Sequence, residues 1–305
     1  MTLFYCLKHE RAAIELAGEE VGSFLNDILT AELKTLPVGE MRMSCLLSPQ
    51  GRILHDMLVF RIKADCFWLE VGKDQILDLK KSFEMYRLRK LITIKILENW
   101  SSAHLFYLGK KTFGSSQIYE ISAKLDGNEL IFRDQRCSAL GLHIIRNEKI
   151  SDKVNQNWKN ADLTSWDKIR ISNMVPLGKI DLTPNRALML ETNLDIFSAV
   201  DFNKGCFIGQ EVTARTKYRG LAKKKMIPIS SSTPLRKDML VYQGEKQIGC
   251  CHSAVKLENE TFIALATLRI DAIKLYVNSK KGLQSNLGPI AIKPPHWYDL
   301  RTVIK

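Results

Sequence analysis

The sequence predicts an α+β fold in which ferredoxin-like split α/β units precede a small antiparallel β-barrel. Its 305 residues are enough for two domains. Strands alternate with amphipathic helices in the first part of the chain, whereas short strands without helical periodicity follow Met226. We therefore expect one region at residues 1–221 and a barrel domain at residues 222–305.

The first hundred residues predict a meander of strands interrupted by two helices. Strands are expected at residues 3–7, 12–17, 41–47, 53–62, 66–71 and 91–97. Helices are expected at residues 19–29 and 75–89, where apolar side chains recur at helical spacing. Between two strands, Ser48-Pro49-Gln50-Gly51 predicts a turn because proline presets one backbone dihedral and glycine tolerates the other. The order strand, strand, helix, strand is compatible with a ferredoxin-like unit.

The remaining elements are mostly short strands. They are expected at residues 103–108, 117–121, 129–133 and 141–145, followed by a polar connection at 150–160 and a helix at 161–174. Beyond a boundary near Leu221, strands at residues 225–229, 239–243, 247–254 and 262–268 predict the barrel.

Charge and cysteine content narrow the functional classes. The formal net charge is +12, and residues 201–240 contain nine Lys or Arg against three Asp or Glu. A nucleic acid or a polyanionic small molecule would suit this basic zone, and so would a plain solvated surface. Seven cysteines without a Cys-x-x-Cys pair argue against a disulfide framework and against a metal site made by this chain alone.

Apolar runs and the N-terminus suggest where the protein works. No run approaches the roughly 18 apolar residues that cross a bilayer, so no membrane partner is expected. The N-terminal residues read as the start of a strand and show no basic segment ahead of an apolar one, so no signal or transit peptide is predicted. A cytoplasmic protein with reduced thiols fits best, and a processed organellar protein is the alternative.

The segment Lys204-Gly205-Cys206-Phe207-Ile208-Gly209-Gln210-Glu211 is the strongest candidate for chemistry. Two glycines permit a tight turn or a close backbone approach, and a helix can begin at Glu211. Cys206 would then lie at a loop-to-helix junction beside Lys204, where a thiol is readily acidified and reactive. The alternative is that Cys206 is a small packing residue, as most free cysteines are.

This segment, together with Ala214-Arg215 and Arg219-Gly220, resembles the signature of the YgfZ-type folate-binding proteins. These are relatives of the glycine-cleavage T-protein, an aminomethyltransferase. The resemblance extends from about residue 12 to 230 and implies an aminomethyltransferase-type folate-binding fold with two interleaved subdomains. Further segments that carry it are Gly51–Val59, Asp134–Gly141, Arg170–Leu177 and Leu188–Asp195.

The resemblance implies tetrahydrofolate or a derivative as the cofactor. In this interpretation Asp56 and Glu191 accept hydrogen bonds from the pterin, whose neighbouring N–H groups suit a carboxylate. The resemblance also assigns Lys204, Gln210 and Arg215 to folate binding and makes Cys206 the reactive group. For Arg136, we favour an ion pair with Asp134 over contact with the ligand.

Five positions depart from the family pattern, and two of them are Met189 and Thr192 in the segment Leu188–Asp195. His55 replaces the first aspartate of the T-protein's Asp pair, Met174 replaces a glycine, and Leu177 replaces a glutamate. The family implies a folate-binding accessory factor that assembles or repairs iron–sulfur clusters in client enzymes, with a possible indirect link to tRNA. The alternatives are an aminomethyltransferase, which the change at His55 disfavours, and a non-enzymatic tRNA-binding protein. Whether the chain is an enzyme stays open.

Overall fold

A computed structural model describes residues 2–7, 10–108, 113–115, 117–118, 129–146 and 158–304. Within these residues, two five-stranded sheets and a closed six-stranded barrel form the architecture. Up to residue 107 the elements are β1 Leu3–Leu7, β2 Arg11–Ala17, α1 Val21–Ile28, β3 Met41–Leu47, β4 Ile53–Lys63, β5 Cys66–Gly72, α2 Ile76–Arg87, β6 Thr93–Leu97 and β7 Ser101–Tyr107. From residue 130 they are β8 Leu130–Arg133, β9 Leu142–Arg146, β10 Lys159–Asn160, α3 Leu163–Ser172, α4 Gly178–Asp181 and α5 Gln210–Tyr218. The last are β11 Lys224–Ser231, β12 Leu240–Gln243, β13 Lys246–Lys256, β14 Phe262–Arg269, α6 Ile270–Ser279, β15 Leu283–Gln284, β16 Pro289–Ile292 and α7 Arg301–Ile304.

The first sheet has the antiparallel order β3-β4-β5-β2-β6 and is buried on both faces. Successive side chains of a strand point to opposite faces, and β4 shows how this sheet uses them. Met57 and Val59 belong to the core under α1 and α2, whereas Leu58 and Phe60 face the second sheet. There the ring of Phe60 meets the ring of Phe132 edge-on at 4.9 Å between centroids.

The second sheet has the order β10-β1-β7-β9-β8, with a parallel β1–β10 pair and antiparallel pairs elsewhere. His104 on β7 and His143 on β9 lie opposite each other and are both buried. The ring of His104 stacks on Trp166 of α3 at 3.7 Å between centroids. Polar side chains therefore occupy the interior on this side of the molecule, where an ordinary sheet would bury aliphatic ones.

A buried polar cluster fixes the barrel to the preceding helices. Arg170 of α3 donates from Nη1 to Oδ2 of Asp181 at 2.7 Å and from Nη2 to Oγ of Ser253 at 2.7 Å. The backbone N–H of Ser253, on barrel strand β13, donates to Oδ1 of Asp181 at 2.9 Å. Because all three side chains are buried, the cluster sets the position of the barrel against α3 and α4.

Most predicted elements are confirmed within a residue or two, including the four barrel strands and the helix after Glu211, which begins at Gln210. Helix α6 contradicts the prediction that helical structure is scarce after Met226. Of the predicted strand at 117–121, residues 117 and 118 are helical, which contradicts the prediction, and residues 119–121 lie outside the described residues. The predicted connection at 150–160 is described only from residue 158 onward. Among the helices of the described part, none has the length and apolar character needed to cross a bilayer.

Candidate functional site

The loop that carries Cys206 is clamped to the first sheet by Lys204. The ammonium group of Lys204 donates to the carbonyl oxygens of Leu29 at 2.6 Å and Ala31 at 2.8 Å. Only 9% of Lys204 is exposed. Burial lowers its pKa to about 8, although the nearby carboxylates of Glu32 and Asp201 act to raise it. Two of its three N–H donors are used within the protein, so Lys204 holds the loop in place.

Two glycines let this loop lie directly on the turn that precedes β4. Gly209 has a φ of +79°, and a Cβ added to it would lie 2.5 Å from the carbonyl oxygen of Ser48. Gly51 on the facing turn has a φ of +73°, and its added Cβ would lie 3.3 Å from the carbonyl oxygen of Gly209. Any larger residue at Gly209 would separate the two segments. The predicted turn at residues 48–51 and the close backbone approach are both present.

Cys206 lies at the tip of the clamped loop, just before α5. All seven cysteines fall in the described part of the chain, and among them Cys206 alone is exposed. Burial raises the pKa of Cys66 to about 11 and that of Cys251 to about 12, so these thiols are poor nucleophiles at neutral pH. The structure therefore offers one readily accessible thiol on a fixed loop.

Helix α5 presents Gln210 in its first turn and Arg215 in its last. Gln210 is half-buried, and its backbone N–H donates to the carbonyl oxygen of Phe207 at 3.2 Å, which tightens the turn after Cys206. Arg215 is exposed and stands on the same short helix. Lys204, Cys206, Gln210 and Arg215 thus belong to one continuous segment.

Glu191 lies beside the first barrel strand, β11, where its carbonyl oxygen accepts a hydrogen bond from the N–H of Met226 at 2.8 Å. Burial raises the pKa of the half-buried carboxyl of Glu191. The charge of Lys224 and hydrogen bonds from the backbone N–H groups of Lys223 and Lys224 lower this pKa in part. Arg52, at the turn before β4, is a further nearby positive charge. The carboxylate of Glu191 therefore already has protein donors. It retains acceptor sites, because two carboxylate oxygens can take about four hydrogen bonds.

Asp56 is in the interior, apart from the Cys206 loop. It is 4% exposed on β4, and its Oδ2 accepts a hydrogen bond from the N–H of Gly178 at 3.2 Å. Neighbouring His55 is also buried, its Nδ1 has no partner within the described residues, and burial lowers its pKa. No hydrogen bond or ion pair in the described structure joins Asp56 to Glu191 or Cys206, so these predicted site residues are not linked directly.

Arg136 connects the surroundings of Asp56 to a large groove. Its Nε and Nη2 donate to the two carboxylate oxygens of Asp134 at 3.0 and 2.7 Å, and the same carboxylate contacts Nε2 of His143 at 2.8 Å. Burial alone would lower the pKa of Arg136, but Asp134, with smaller contributions from Glu70 and Asp56, raises it. The predicted Asp134–Arg136 pair is confirmed.

The groove beside Arg136 has a volume of about 920 Å³. Aromatic and apolar side chains line it, with Arg136 and Lys293 as cationic groups; the main ones are Ile196, Phe197, Pro294, Pro295 and Trp297. In the described part of the chain, Nη1 of Arg136 makes no hydrogen bond, and the residue borders the groove. This arrangement suits a planar ligand that carries an acidic or carbonyl group. No sequence pattern predicts that the C-terminal residues 293–297 return to this site.

The fold and the site residues can be compared with known proteins. Residues 9–100 match the GCVT N-terminal domain. This GCVT domain covers the first sheet with α1 and α2, and it contains Asp56. Over almost the whole chain, the structure resembles the glycine cleavage system aminomethyltransferase T from Bartonella henselae, with a TM-score of 0.76 and 16% sequence identity. The match covers 95% of this chain and 85% of the other, which confirms the predicted fold class.

Relatives of this chain with curated names are iron–sulfur cluster assembly factors. It is 26% identical to the mitochondrial iron–sulfur cluster assembly factor IBA57 of Mus musculus and 25% identical to that of Homo sapiens, over 94% of this chain and 83% of each relative. A homologue from Neurospora crassa is 26% identical over 72% of this chain, which spans about half of that relative, 51%. The predicted cytoplasmic location is wrong by this comparison, because these relatives are named as mitochondrial.

Proposed function

We propose that this protein is a mitochondrial iron–sulfur cluster assembly factor that binds tetrahydrofolate or a derivative and acts through the thiol of Cys206. The exposure of Cys206 on a clamped loop is the observation that carries this proposal. The names of relatives that match nearly the whole chain support the assembly function. In this proposal the protein does not act on tRNA itself. It supports client iron–sulfur enzymes, some of which modify tRNA.

The thiol works together with groups from another chain. A single thiolate does not hold an iron–sulfur cluster stably, because clusters use about four protein ligands. A client or partner protein therefore supplies the remaining ligands while Cys206 contacts the cluster or exchanges with an oxidised thiol of the client. The basic side chains that follow the loop, including Arg215 and Lys217, favour an acidic surface on that partner.

The residues around Asp56 fit a folate. Asp56 is a buried carboxylate with one hydrogen bond to the protein, so it retains capacity to accept the N–H groups of a pterin. The groove beside Arg136, which Asp56 does not line, has a volume of about 920 Å³, within the usual range for sites of ligands of this size. When bound, a reduced folate supplies a one-carbon unit or reducing electrons. Glu191 and Arg215 are proposed to contact the part of the ligand that reaches the surface.

Aminomethyl transfer is the weaker alternative. Its family chemistry uses an aspartate at the position of His55, and burial lowers the pKa of this histidine so that the neutral form is favoured. A neutral imidazole does not provide the negative charge that a carboxylate would place there. The similarity to the aminomethyltransferase therefore supports a shared fold. The change at His55 favours the accessory role in cluster assembly over aminomethyl transfer.

The assembly function is tested in cells that lack IBA57. Expression of this chain, directed to mitochondria, is expected to restore the activity of the affected iron–sulfur enzymes, measured against a respiratory enzyme without a cluster. Restored activity of the iron–sulfur enzymes, with unchanged activity of the enzyme that lacks a cluster, supports the proposal. Full-length, soluble protein without any recovery of cluster enzymes contradicts it.

The folate proposal predicts thermal stabilisation by tetrahydrofolate. Saturating ligand at about 100 times Kd stabilises a folded protein by about 2.7 kcal/mol, so a shift of several degrees in Tm is expected. Asp56→Ala should reduce affinity by about tenfold or more, since it removes charge-assisted hydrogen bonds to the pterin. Glu258→Ala, on an exposed side chain far along the sequence, is the control and should leave the shift unchanged. An absent shift in the wild type refutes folate binding.

A further inference from the structure

The outer side of α2 and the turn after it carry an unusual amount of exposed apolar surface. The four most exposed Leu, Met, Ile or Val side chains of the described residues all lie here: Leu77 at 71%, Met85 at 61%, Leu88 at 83% and Leu91 at 86%. We refer to these four side chains as the α2 ridge. Single exposed leucines are common on proteins, but a concentration of exposed apolar side chains along one helix and the turn after it is typical of an interaction surface.

The α2 ridge is separate from the core side of the helix. Ile76, Leu79 and Phe83 point inward and join the buried cluster under the first sheet. Leu77, Met85 and Leu88 fall within about a quarter turn of one another on the outer side, because successive residues advance by about 100°. Packing in the core therefore does not explain why Leu77, Met85 and Leu88 are apolar.

Leu88 holds its exposed position at a cost in backbone energy. It ends α2 with a φ of +51° and a ψ of −113°, a conformation that glycine adopts easily and other residues adopt rarely. A leucine there is both strained and turned to solvent. Neither feature benefits the stability of the isolated protein, so an interaction outside the chain is the simpler explanation for the residue.

Cationic side chains surround the α2 ridge. Residues 73–95 contain seven Lys or Arg and three Asp or Glu. Two of the three acidic groups are paired, Glu84 with Lys80 at 3.5 Å and Asp74 with Lys179 at 2.7 Å. Asp78 is the third, and Lys90 is near Glu20 and Asp27 of the adjoining α1 region. Lys81, Arg89 and Lys95 are exposed and add positive charge around the leucines.

We propose that the α2 ridge attaches the protein to the surface of an anionic lipid bilayer. An apolar strip bordered by Lys and Arg is the pattern of helices that lie in the membrane interface. The apolar side chains protrude from the outer side of α2 and from the turn after it, and a bilayer accepts protruding side chains without a matching pocket. A protein partner would need such a pocket, which makes the bilayer the better fit.

Sedimentation with vesicles tests this attachment. The full chain is mixed with vesicles of phosphatidylcholine alone or of phosphatidylcholine with phosphatidylglycerol. Binding is expected only to the anionic vesicles and should weaken by about fivefold for each ridge cation that is removed, as in Lys81→Ala. The double variant Leu88→Gly, Leu91→Ser should lose at least about tenfold in partitioning, because two apolar side chains no longer enter the interface.

The same variants separate membrane binding from folding. Leu88→Gly relieves the positive φ, so its Tm should equal or exceed that of the wild type while vesicle binding falls. Leu275→Ser, at an exposed leucine on α6, is the matched control and should keep full binding. Failure of the wild type to bind anionic vesicles overturns the proposal and turns attention to an acidic protein partner. Binding that is unchanged in the double variant overturns it as well. Neither result bears on folate binding or on Cys206.

Discussion

Asp134→Ala is expected to lower the free energy of unfolding by about 3–5 kcal/mol, because it leaves the buried Arg136 without its carboxylate. Asp134 is fully enclosed and makes three hydrogen bonds to Arg136, two to the guanidinium and one to the backbone N–H, besides its contact with His143. Removing it would also free the loop that brings Arg136 to the groove. Chemical denaturation with urea measures the effect.

A solvent-exposed ion pair provides the matched control for this variant. Lys80 and Glu84 are 3.5 Å apart on the surface of α2, and exposed pairs of this kind contribute at most about 0.5 kcal/mol. Glu84→Ala should therefore change the unfolding free energy very little. Equal effects of Asp134→Ala and Glu84→Ala would contradict the assigned role of the buried pair.

The same carboxylate predicts a dependence of stability on pH. Burial alone would raise the pKa of Asp134, but Arg136 and His143 outweigh it and hold this pKa well below the usual range for aspartate. Since the pKa is lower in the folded state, the stabilisation is fully present above about pH 4 and is lost as the pH falls further. The wild type should therefore lose stability below this pH more steeply than Asp134→Ala does.

Local sequence patterns predicted the architecture well because they report on short-range physics. Alternating residues in β3 to β6 identify strands, and proline followed by glycine identifies the turn at residues 48–51. Helix α6 was missed although Ile270, Ile273 and Val277 have helical spacing. Their β-branched side chains favour strands, and packing of Ala272 and Ile273 into the barrel core overrides that preference.

The candidate site was harder to predict because its contacts join distant parts of the chain. The family resemblance assigns Lys204 to folate binding. In the structure its amine donates to the carbonyl oxygens of Leu29 and Ala31, more than 170 residues earlier. His143 carried no signal, because only the pairing of β7, β8 and β9 brings it to Asp134. The return of Trp297 to the groove depends on the path of the chain after the barrel. The family resemblance identifies Cys206 and Asp56. It does not predict the contacts around them, such as the hydrogen bond from Gly178 to Asp56 or those that hold the Cys206 loop.

The cysteine variants test whether the thiol of Cys206 carries the assembly function. In cells that lack IBA57, Cys206→Ala is expected to abolish recovery of iron–sulfur enzyme activity while the purified variant keeps the wild-type Tm, because the exposed thiol contributes little to packing. Cys250→Ala, at a half-buried thiol of the barrel, should restore activity as the wild type does. Full recovery with Cys206→Ala would contradict the account and leave Cys206 as an ordinary surface residue.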